Sequence, residues 1–125
     1  MTNRSPSPRV VLVVDDEALI RMNAMDMLED AGFATLEAAD AAEALAMLAD
    51  HPEIGLLFTD INMPGRMDGL DLAREVNRRR PDIHLVVTSG KVLPEVGQMP
   101  DRGTFIGKPY REKPFIALVE AVFAS

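Results

Sequence analysis

The side chains best suited to chemistry in this sequence each follow a short apolar segment. Carboxylates follow the first and third segments, at Asp15 and Asp16 and at Asp60. Hydroxyls follow the fourth segment, at Thr88 and Ser89, and the amine of Lys108 follows the fifth. If the fold brings these groups together, they form a site for a phosphoryl group held between a metal ion, an ammonium and a hydroxyl.

The charges of such a site do not balance without a further cation. Two carboxylates about 5 Å apart repel by roughly 3 kcal/mol at an effective dielectric constant of 20. Three carboxylates beside Lys108 therefore need either a bound proton or a metal ion. Oxygen ligands without histidine or cysteine favour Mg²⁺, with Mn²⁺ or Ca²⁺ as alternatives, over zinc. The chain has no cysteine, and we interpret His51 and His84 as surface or strand residues.

The elements that would position these groups alternate along the chain. Val10–Val14 is continuous and β-branched, which is typical of a strand covered on both faces. Helical spacing of apolar residues and capping residues predict helices after the strands, with Asp40 and Asp68 as N-caps. In the first helix, the apolar residues that recur at helical spacing, and that we expect to be buried, are Ala18, Met22, Met25 and Leu28. The predicted strands are 10–14, 33–38, 55–59, 83–87 and 104–106, and the predicted helices are 17–31, 41–50, 69–80 and 111–124.

Strands that alternate with helices predict one parallel sheet with right-handed crossovers and helices on both faces. Ligands of such sheets lie beyond the carboxyl ends of the strands, where all the reactive groups stand. The crossover at 91–103 contains Pro94, Gly97 and Pro100, which oppose a long helix. We expect a short helix or an irregular loop there.

The length, charge and composition of the chain disfavour several classes of function. The chain has 125 residues, enough for one domain, and a net charge of −7, which disfavours binding to nucleic acid. Its apolar runs are too short to span a bilayer, and residues 1–8 lack the apolar stretch of a signal peptide. We therefore expect a cytoplasmic protein with a disordered arm at 1–8 and one domain at 9–125.

The sequence carries five motifs in order, which are Asp15-Asp16, Asp60-Ile61-Asn62-Met63-Pro64, Met67-Asp68-Gly69, Thr88-Ser89 and Lys108-Pro109. Together they resemble the receiver domain of two-component response regulators, and they cover nearly the whole chain. We therefore expect a stand-alone receiver without an output domain, of the type that resembles the chemotaxis regulator. The resemblance implies a flavodoxin-like sheet in the order 2-1-3-4-5.

The resemblance also implies a role for each site residue. Asp60 would accept a phosphoryl group from a histidine kinase or a phosphotransfer protein. Mg²⁺ would be held by Asp15, Asp16, Asp60 and the backbone carbonyl of Asn62. Lys108 would pair with Asp60 and then with the phosphoryl group, while Thr88 and Phe105 would move as a switch. Pro109 would follow a cis peptide bond, which X-Pro allows at low cost.

The function implied is phosphorylation-controlled binding of a downstream protein through the surface of the fourth and fifth elements. The chain would be a monomer or weak dimer and would catalyse only its own phosphorylation and dephosphorylation. Three features depart from the family pattern. The loop at 63–69 is one residue longer, and Gly90 leaves the site open, which predicts a short-lived phosphoryl state. The larger departure is the crossover at 91–103, which is rich in proline and glycine.

Other functions fit the residues less well. A phosphotransfer intermediate or phosphate sink would use the same site without an output target. An aspartate-nucleophile phosphatase would need an Asp-x-Asp pattern after the first strand, where Asp15 and Asp16 are adjacent. A flavin-binding protein would need a phosphate loop there, and carboxylates would repel the phosphate. Each acidic residue alone is equally typical of a helix cap or a strand end.

Overall fold

The computed structural model describes residues 9–91, 94, 98–100 and 102–125. Five strands and four helices lie in this part of the chain, and they alternate except that the fourth strand is followed directly by the fifth among the described elements. None of the described helices is long and apolar enough to cross a membrane. The elements are β1 Val10–Val14, α1 Ala18–Asp30, β2 Ala34–Ala38, α2 Ala41–Asp50, β3 Ile54–Asp60, α3 Gly69–Arg79, β4 His84–Ser89, β5 Gly103–Gly107 and α4 Glu112–Ala124.

The strands form one parallel sheet in the order β2-β1-β3-β4-β5, which confirms the predicted fold class. In its register Val14 pairs with Thr59, and Asp60 pairs with Thr88. The ends of β1, β3 and β4 are therefore level at one edge. The polar residues that follow these strands meet there.

Alternate residues of the central strands face two separate hydrophobic clusters. Val11 and Val13 lie in the cluster with buried residues of α1 and α4. Leu12 and Val14 lie in the cluster with buried residues of α2 and α3. Helices thus cover both faces of the sheet, as the continuous apolar strands predicted.

Side chains at the predicted caps begin α2 and α3. The Asp40 carboxylate accepts a hydrogen bond from the amide of Glu43 at 2.9 Å. The Glu43 carboxylate accepts from the amide of Ala39 rather than from that of Asp40, so its return bond is one residue away from a capping box. A full capping box starts α3, where Asp68 and Asp71 each accept from the other's amide.

The predicted buried face of α1 is partly wrong. Ala18 and Met22 are exposed, whereas Leu28 is buried as predicted and Met25 is half-buried against the same cluster. Ala24, which was not predicted, is also buried. Apolar residues occur on several sides of this helix, so their spacing alone does not identify the side that meets the sheet. The buried residues that pack inward are Ala24 and Leu28, one turn apart, with Met25 and Met27 packed against the same cluster.

The arginine run at the end of α3 has two structural roles. Arg78 and Arg79 form ion pairs with Glu75 on the same helix. The Arg80 guanidinium instead donates to the backbone carbonyls of Pro52 and Ile54, at 3.0 and 3.2 Å. Arg80 thus joins α3 to the connection between α2 and β3.

Two predictions fall mainly outside the described residues. The disordered arm was predicted at residues 1–8, none of which the structure describes. The short helix or irregular loop was predicted at 91–103, where residues 92, 93, 95–97 and 101 are not described. Within the rest of that segment, Gln98 and Met99 form a turn and a bend before Pro100.

Candidate functional site

Three carboxylates converge beyond the ends of β1 and β3. Asp15 and Asp60 are only 4% and 5% exposed, while Asp16 is exposed. One carboxylate oxygen from each of the three lies within 4.8 Å of the others. The turn after β1 is ordered because the Asp15 amide donates to the carbonyl of Ala38 and the Asp15 carboxylate accepts from the amide of Glu17.

The Lys108 ammonium lies between two of these carboxylates. Its Nζ atom is 3.2 Å from Oδ2 of Asp15 and 3.3 Å from Oδ2 of Asp60. The Lys108 amide donates to the carbonyl of Ser89, which holds the end of β5 against β4. The peptide bond between Lys108 and Pro109 is cis.

Burial and charge act in opposite directions on this cluster. Burial raises the pKa of Asp60, and the nearby charge of Asp15 raises it further, while Lys108 and the amide of Asn62 lower it. The net pKa of Asp60 is above its ordinary value. Burial lowers the pKa of Lys108, but the charges of Asp60 and Asp15 outweigh this effect and leave it raised. The site is therefore short of positive charge, and a further cation would favour ionised Asp60.

The donor set fits a hard divalent cation. The three grouped side chains offer only carboxylate oxygens, the ligand type that Mg²⁺ prefers. Two of them are buried, so their charges are weakly screened by solvent. Asp15, Asp16 and Asp60 are therefore the residues able to hold such a cation.

The Asn62 side chain connects two loops at the mouth of the site. Its amide nitrogen donates to Oγ of Ser89 at 3.0 Å, and its backbone amide donates to Oδ1 of Asp60 at 3.2 Å. Oγ of Ser89 also accepts from the amide of Lys91 at 3.1 Å. The loop after β3 is thus tied to the end of β4 directly beside Asp60.

Thr88 lies next to Asp60 on the neighbouring strand. Thr88 is 1% exposed. Among the described residues, its hydroxyl is the one buried side-chain polar atom without a hydrogen-bond partner. Its backbone carbonyl accepts from the amide of Ile61 at 2.8 Å. A buried hydroxyl without a partner costs about 1–3 kcal/mol, so an added ligand with an acceptor oxygen would find this group available.

Phe105 lies on β5, outside the carboxylate cluster. It pairs in register with Val87, one residue before Thr88. Its side chain is half-buried and packs against the cluster of α2 and α3, together with Met99. The structure therefore brings together the acidic residues, Lys108 and Thr88 at one edge, and places Phe105 on the adjoining strand.

Sequence reasoning missed two residues of this site. Tyr110 packs against Phe58 and Phe115, and burial together with the charges of Asp15 and Asp60 raises its pKa to about 12. Its position two residues after Lys108 was the available signal. Arg21 on α1 donates to the backbone carbonyl of Asp15, and nothing in the local sequence marks that contact.

An open cleft of about 690 Å³ adjoins the site, lined by Leu19, Ile20, Asn23, Gly90, Lys108, Pro109 and Tyr110. Leu19 and Met22 on α1 are the large apolar side chains most exposed in the described residues, at 81% and 54%. A Cβ atom added to Gly90 would be 3.4 Å from Cβ of Lys108, which is ordinary contact.

Comparison with protein families gives one match over most of the chain. The model described as "Response regulator receiver domain" matches residues 11–120. Among curated proteins, the transcriptional regulatory protein PdtaR of Mycobacterium tuberculosis is 35% identical over 116 residues. That alignment covers 90% of this chain and 56% of PdtaR, so the chain spans about half the length of this relative.

Solved structures agree with this match over most of the chain. A response regulator receiver protein from Sinorhizobium medicae superposes with a TM-score of 0.88 at 26% identity, covering 97% of this chain and 98% of the other. The receiver domain of NtrX from Brucella abortus has a TM-score of 0.80 at 35% identity, covering 92% and 98%.

Proposed function

Because this chain belongs to the response regulator receiver domain family of two-component signalling, we propose that it accepts a phosphoryl group on Asp60. The observation that supports this most strongly is the position of the Asp60 carboxylate. It is nearly buried, contacts Lys108 and lies within reach of two further carboxylates. The receiver unit is proposed to occupy residues 9–125.

The proposed step transfers the phosphoryl group from a phosphohistidine of a partner. An Asp60 oxygen attacks the phosphorus, a new P–O bond forms, and the P–N bond breaks with its electron pair on the histidine nitrogen, which ends protonated. Lys108 then pairs with an oxygen of the transferred phosphoryl group, because its ammonium already contacts Asp60. Hydrolysis returns the carboxylate and inorganic phosphate. The chain acts as a signalling domain whose own chemistry is limited to these two steps.

Mg²⁺ is the proposed cofactor of this step. Asp15, Asp16, Asp60 and the backbone carbonyl of Asn62 would hold it. The ion would neutralise negative charge on the acidic cluster and on the incoming phosphoryl oxygens. The raised pKa of Asp60 supports this proposal, since the cluster has too little positive charge of its own.

The proposed switch begins at the buried hydroxyl of Thr88. A phosphoryl oxygen on Asp60 would supply the acceptor that Thr88 Oγ1 lacks, because the two residues are paired across β3 and β4. Movement of Thr88 would change the space beside Phe105 on β5. The surface formed by the segment after β4, β5 and α4 would then bind or release a downstream protein. Gly90 would leave the phosphoryl group accessible to water and shorten its lifetime.

The proposed phosphoryl donor is a histidine kinase or a phosphotransfer protein that docks on α1. Leu19 and Met22 present exposed apolar surface, and Leu19 also lines the cleft that reaches Lys108. A partner that covers these side chains would bring its phosphohistidine to the mouth of the site. Apolar side chains exposed beside a reactive cleft are typical of a protein-binding surface.

The test is the intact mass of the protein after incubation with acetyl phosphate, with and without Mg²⁺. The wild-type chain should gain one phosphoryl group only when Mg²⁺ is present. Asp60→Asn should gain none. Asp82→Asn is the matched control, because this carboxylate lies outside the cluster and pairs with Arg80, and it should gain the group normally. A phosphoryl group retained by Asp60→Asn would contradict the assignment.

A further inference from the structure

Arg21 is placed behind the acidic cluster by the first turn of α1. Its side chain is only 16% exposed. One arm of the guanidinium donates to the backbone carbonyl of Asp15 at 2.7 Å, and its Nε donates to Oε1 of Glu37 at 2.6 Å. The guanidinium therefore contacts the turn that contains two of the three grouped carboxylates.

These contacts tie three elements to one point. Asp15 follows β1, Arg21 lies on α1, and Glu37 lies on β2, where it pairs in register with Val13. The rigid fork of a guanidinium can hold a carbonyl and a carboxylate at once, which the single ammonium of a lysine does less well. The carbonyl that Arg21 holds belongs to the peptide that leads directly into Asp16, so its position influences the direction of the Asp16 carboxylate.

We propose that Arg21, anchored by Glu37, is a positioning residue that holds the turn of Asp15 and Asp16 in the geometry that binds Mg²⁺. This inference rests on the proposed function, because it assumes that the cluster binds the ion. Residues that orient metal ligands from behind typically contribute about 10–100-fold to metal affinity.

Charge and positioning make opposite predictions for the loss of Arg21. A guanidinium near a cation site repels the ion, so removal of the charge alone should strengthen Mg²⁺ binding. Loss of the positioning contact should weaken it. The Arg21→Gln variant therefore separates the two effects by the sign of the change, and Arg21→Lys retains the charge while it loses the fork.

The experiment is calorimetric titration of the full chain with Mg²⁺. Arg21→Gln and Arg21→Lys should each bind the ion about tenfold more weakly than the wild type. The Mg²⁺ concentration that gives half-maximal phosphoryl addition should rise by a similar factor, while the rate at saturating Mg²⁺ should change little. Melting temperatures measured in EDTA report whether either variant is unfolded, and Arg21→Lys serves if Arg21→Gln does not fold.

Arg74→Gln provides a matched control. Arg74 also bridges a carboxylate and a backbone carbonyl, those of Asp71 and Gln98, both at 2.6 Å, but it does so from α3. The Mg²⁺ affinity of the Arg74→Gln variant should equal that of the wild type. Equal or tighter binding by Arg21→Gln, unchanged binding by Arg21→Lys, or an equal loss in Arg74→Gln would overturn the inference. A wild-type chain that binds no Mg²⁺ would instead overturn the proposed function.

Discussion

Asp60 and Lys108 shift each other's pKa at a site that is largely buried. The carboxylate loses solvent on burial and is repelled by Asp15, and both effects raise its pKa. The ammonium 3.3 Å away partly compensates, and its own pKa is raised by the two carboxylates despite burial. One lysine cannot balance three acidic groups. This deficit of charge, rather than any single residue, supports the proposal of a metal ion.

Thr88→Val is expected to leave the unphosphorylated protein equally stable or up to about 1 kcal/mol more stable. The hydroxyl that the substitution removes is buried and lacks a partner, so no hydrogen bond is lost. Urea unfolding monitored by circular dichroism measures this difference. A loss above 1 kcal/mol would mean that the hydroxyl makes a stabilising bond in the free protein.

The same variant should behave differently when the site is loaded. With beryllofluoride and Mg²⁺ as a stand-in for the phosphoryl group, the wild-type hydroxyl is expected to gain an acceptor. Thr88→Val should then be the less stable of the two proteins. Thr88→Ser, which keeps the hydroxyl, is the control and should retain the stabilisation by the ligand.

At the scale of elements, the junction between β3 and α3 depends on the absence of a side chain at Gly69. A Cβ atom there would lie 1.9 Å from the carbonyl oxygen of Asp60 and 2.6 Å from its carbon. These are backbone atoms of the strand end and cannot turn aside as a flexible side chain would. The amide of Gly69 also donates to the carbonyl of Ile61 at 2.9 Å, which holds the helix start against the strand.

Gly69→Ala should therefore destabilise the protein by about 1–3 kcal/mol or more, since β3 and α3 must separate. It should also slow phosphoryl addition, because the shift moves Asp60. Gly90→Ala is the control for stability, since its Cβ atom would meet its nearest neighbour at 3.4 Å. Chemical denaturation of both variants measures the difference, and equal stabilities would show that the junction relaxes without cost.

At the scale of the whole molecule, His84 is an ionisable ring at the contact between β4 and α4. It begins β4, and its ring meets Phe123 of α4 edge-on, with centroids 5.5 Å apart. Burial lowers the pKa of His84, the charge of Arg102 before β5 lowers it further, and Asp82 opposes both. In the unfolded chain the pKa returns to its ordinary value of about 6.5.

The lowered pKa predicts a contribution of His84 to acid sensitivity. Below about pH 6.5 the unfolded chain binds a proton at His84 more readily than the folded chain, so stability falls as the pH drops towards the folded pKa. His84→Gln cannot titrate and should lose less stability than the wild type between pH 7 and pH 5. The difference between the unfolding free energies of the wild type and of His84→Gln across this range isolates the effect of His84 from that of the other titratable groups. Parallel pH profiles would contradict the prediction.

The order of elements was predictable from sequence because its causes are local. Continuous β-branched segments, and N-caps such as Asp40 and Asp68, depend on neighbouring residues only. The predicted bounds of β1 and α2 match the observed ones, and the others differ by at most two residues, for example at β5, which extends to Gly103–Gly107. The inward side of α1 was not predictable, because its apolar residues lie on more than one side.

The sequence by itself determined that carboxylates, hydroxyls and an amine would meet at one edge, because parallel strands place their carboxyl ends together. Only the tertiary structure decided which groups contact one another there. The contacts of Lys108 with Asp15 and Asp60, and of Arg21 with Asp15 and Glu37, join separate elements. The tertiary structure also decided that the hydroxyl of Thr88 is buried without a partner. These features depend on strand register and helix packing, which local sequence patterns do not specify.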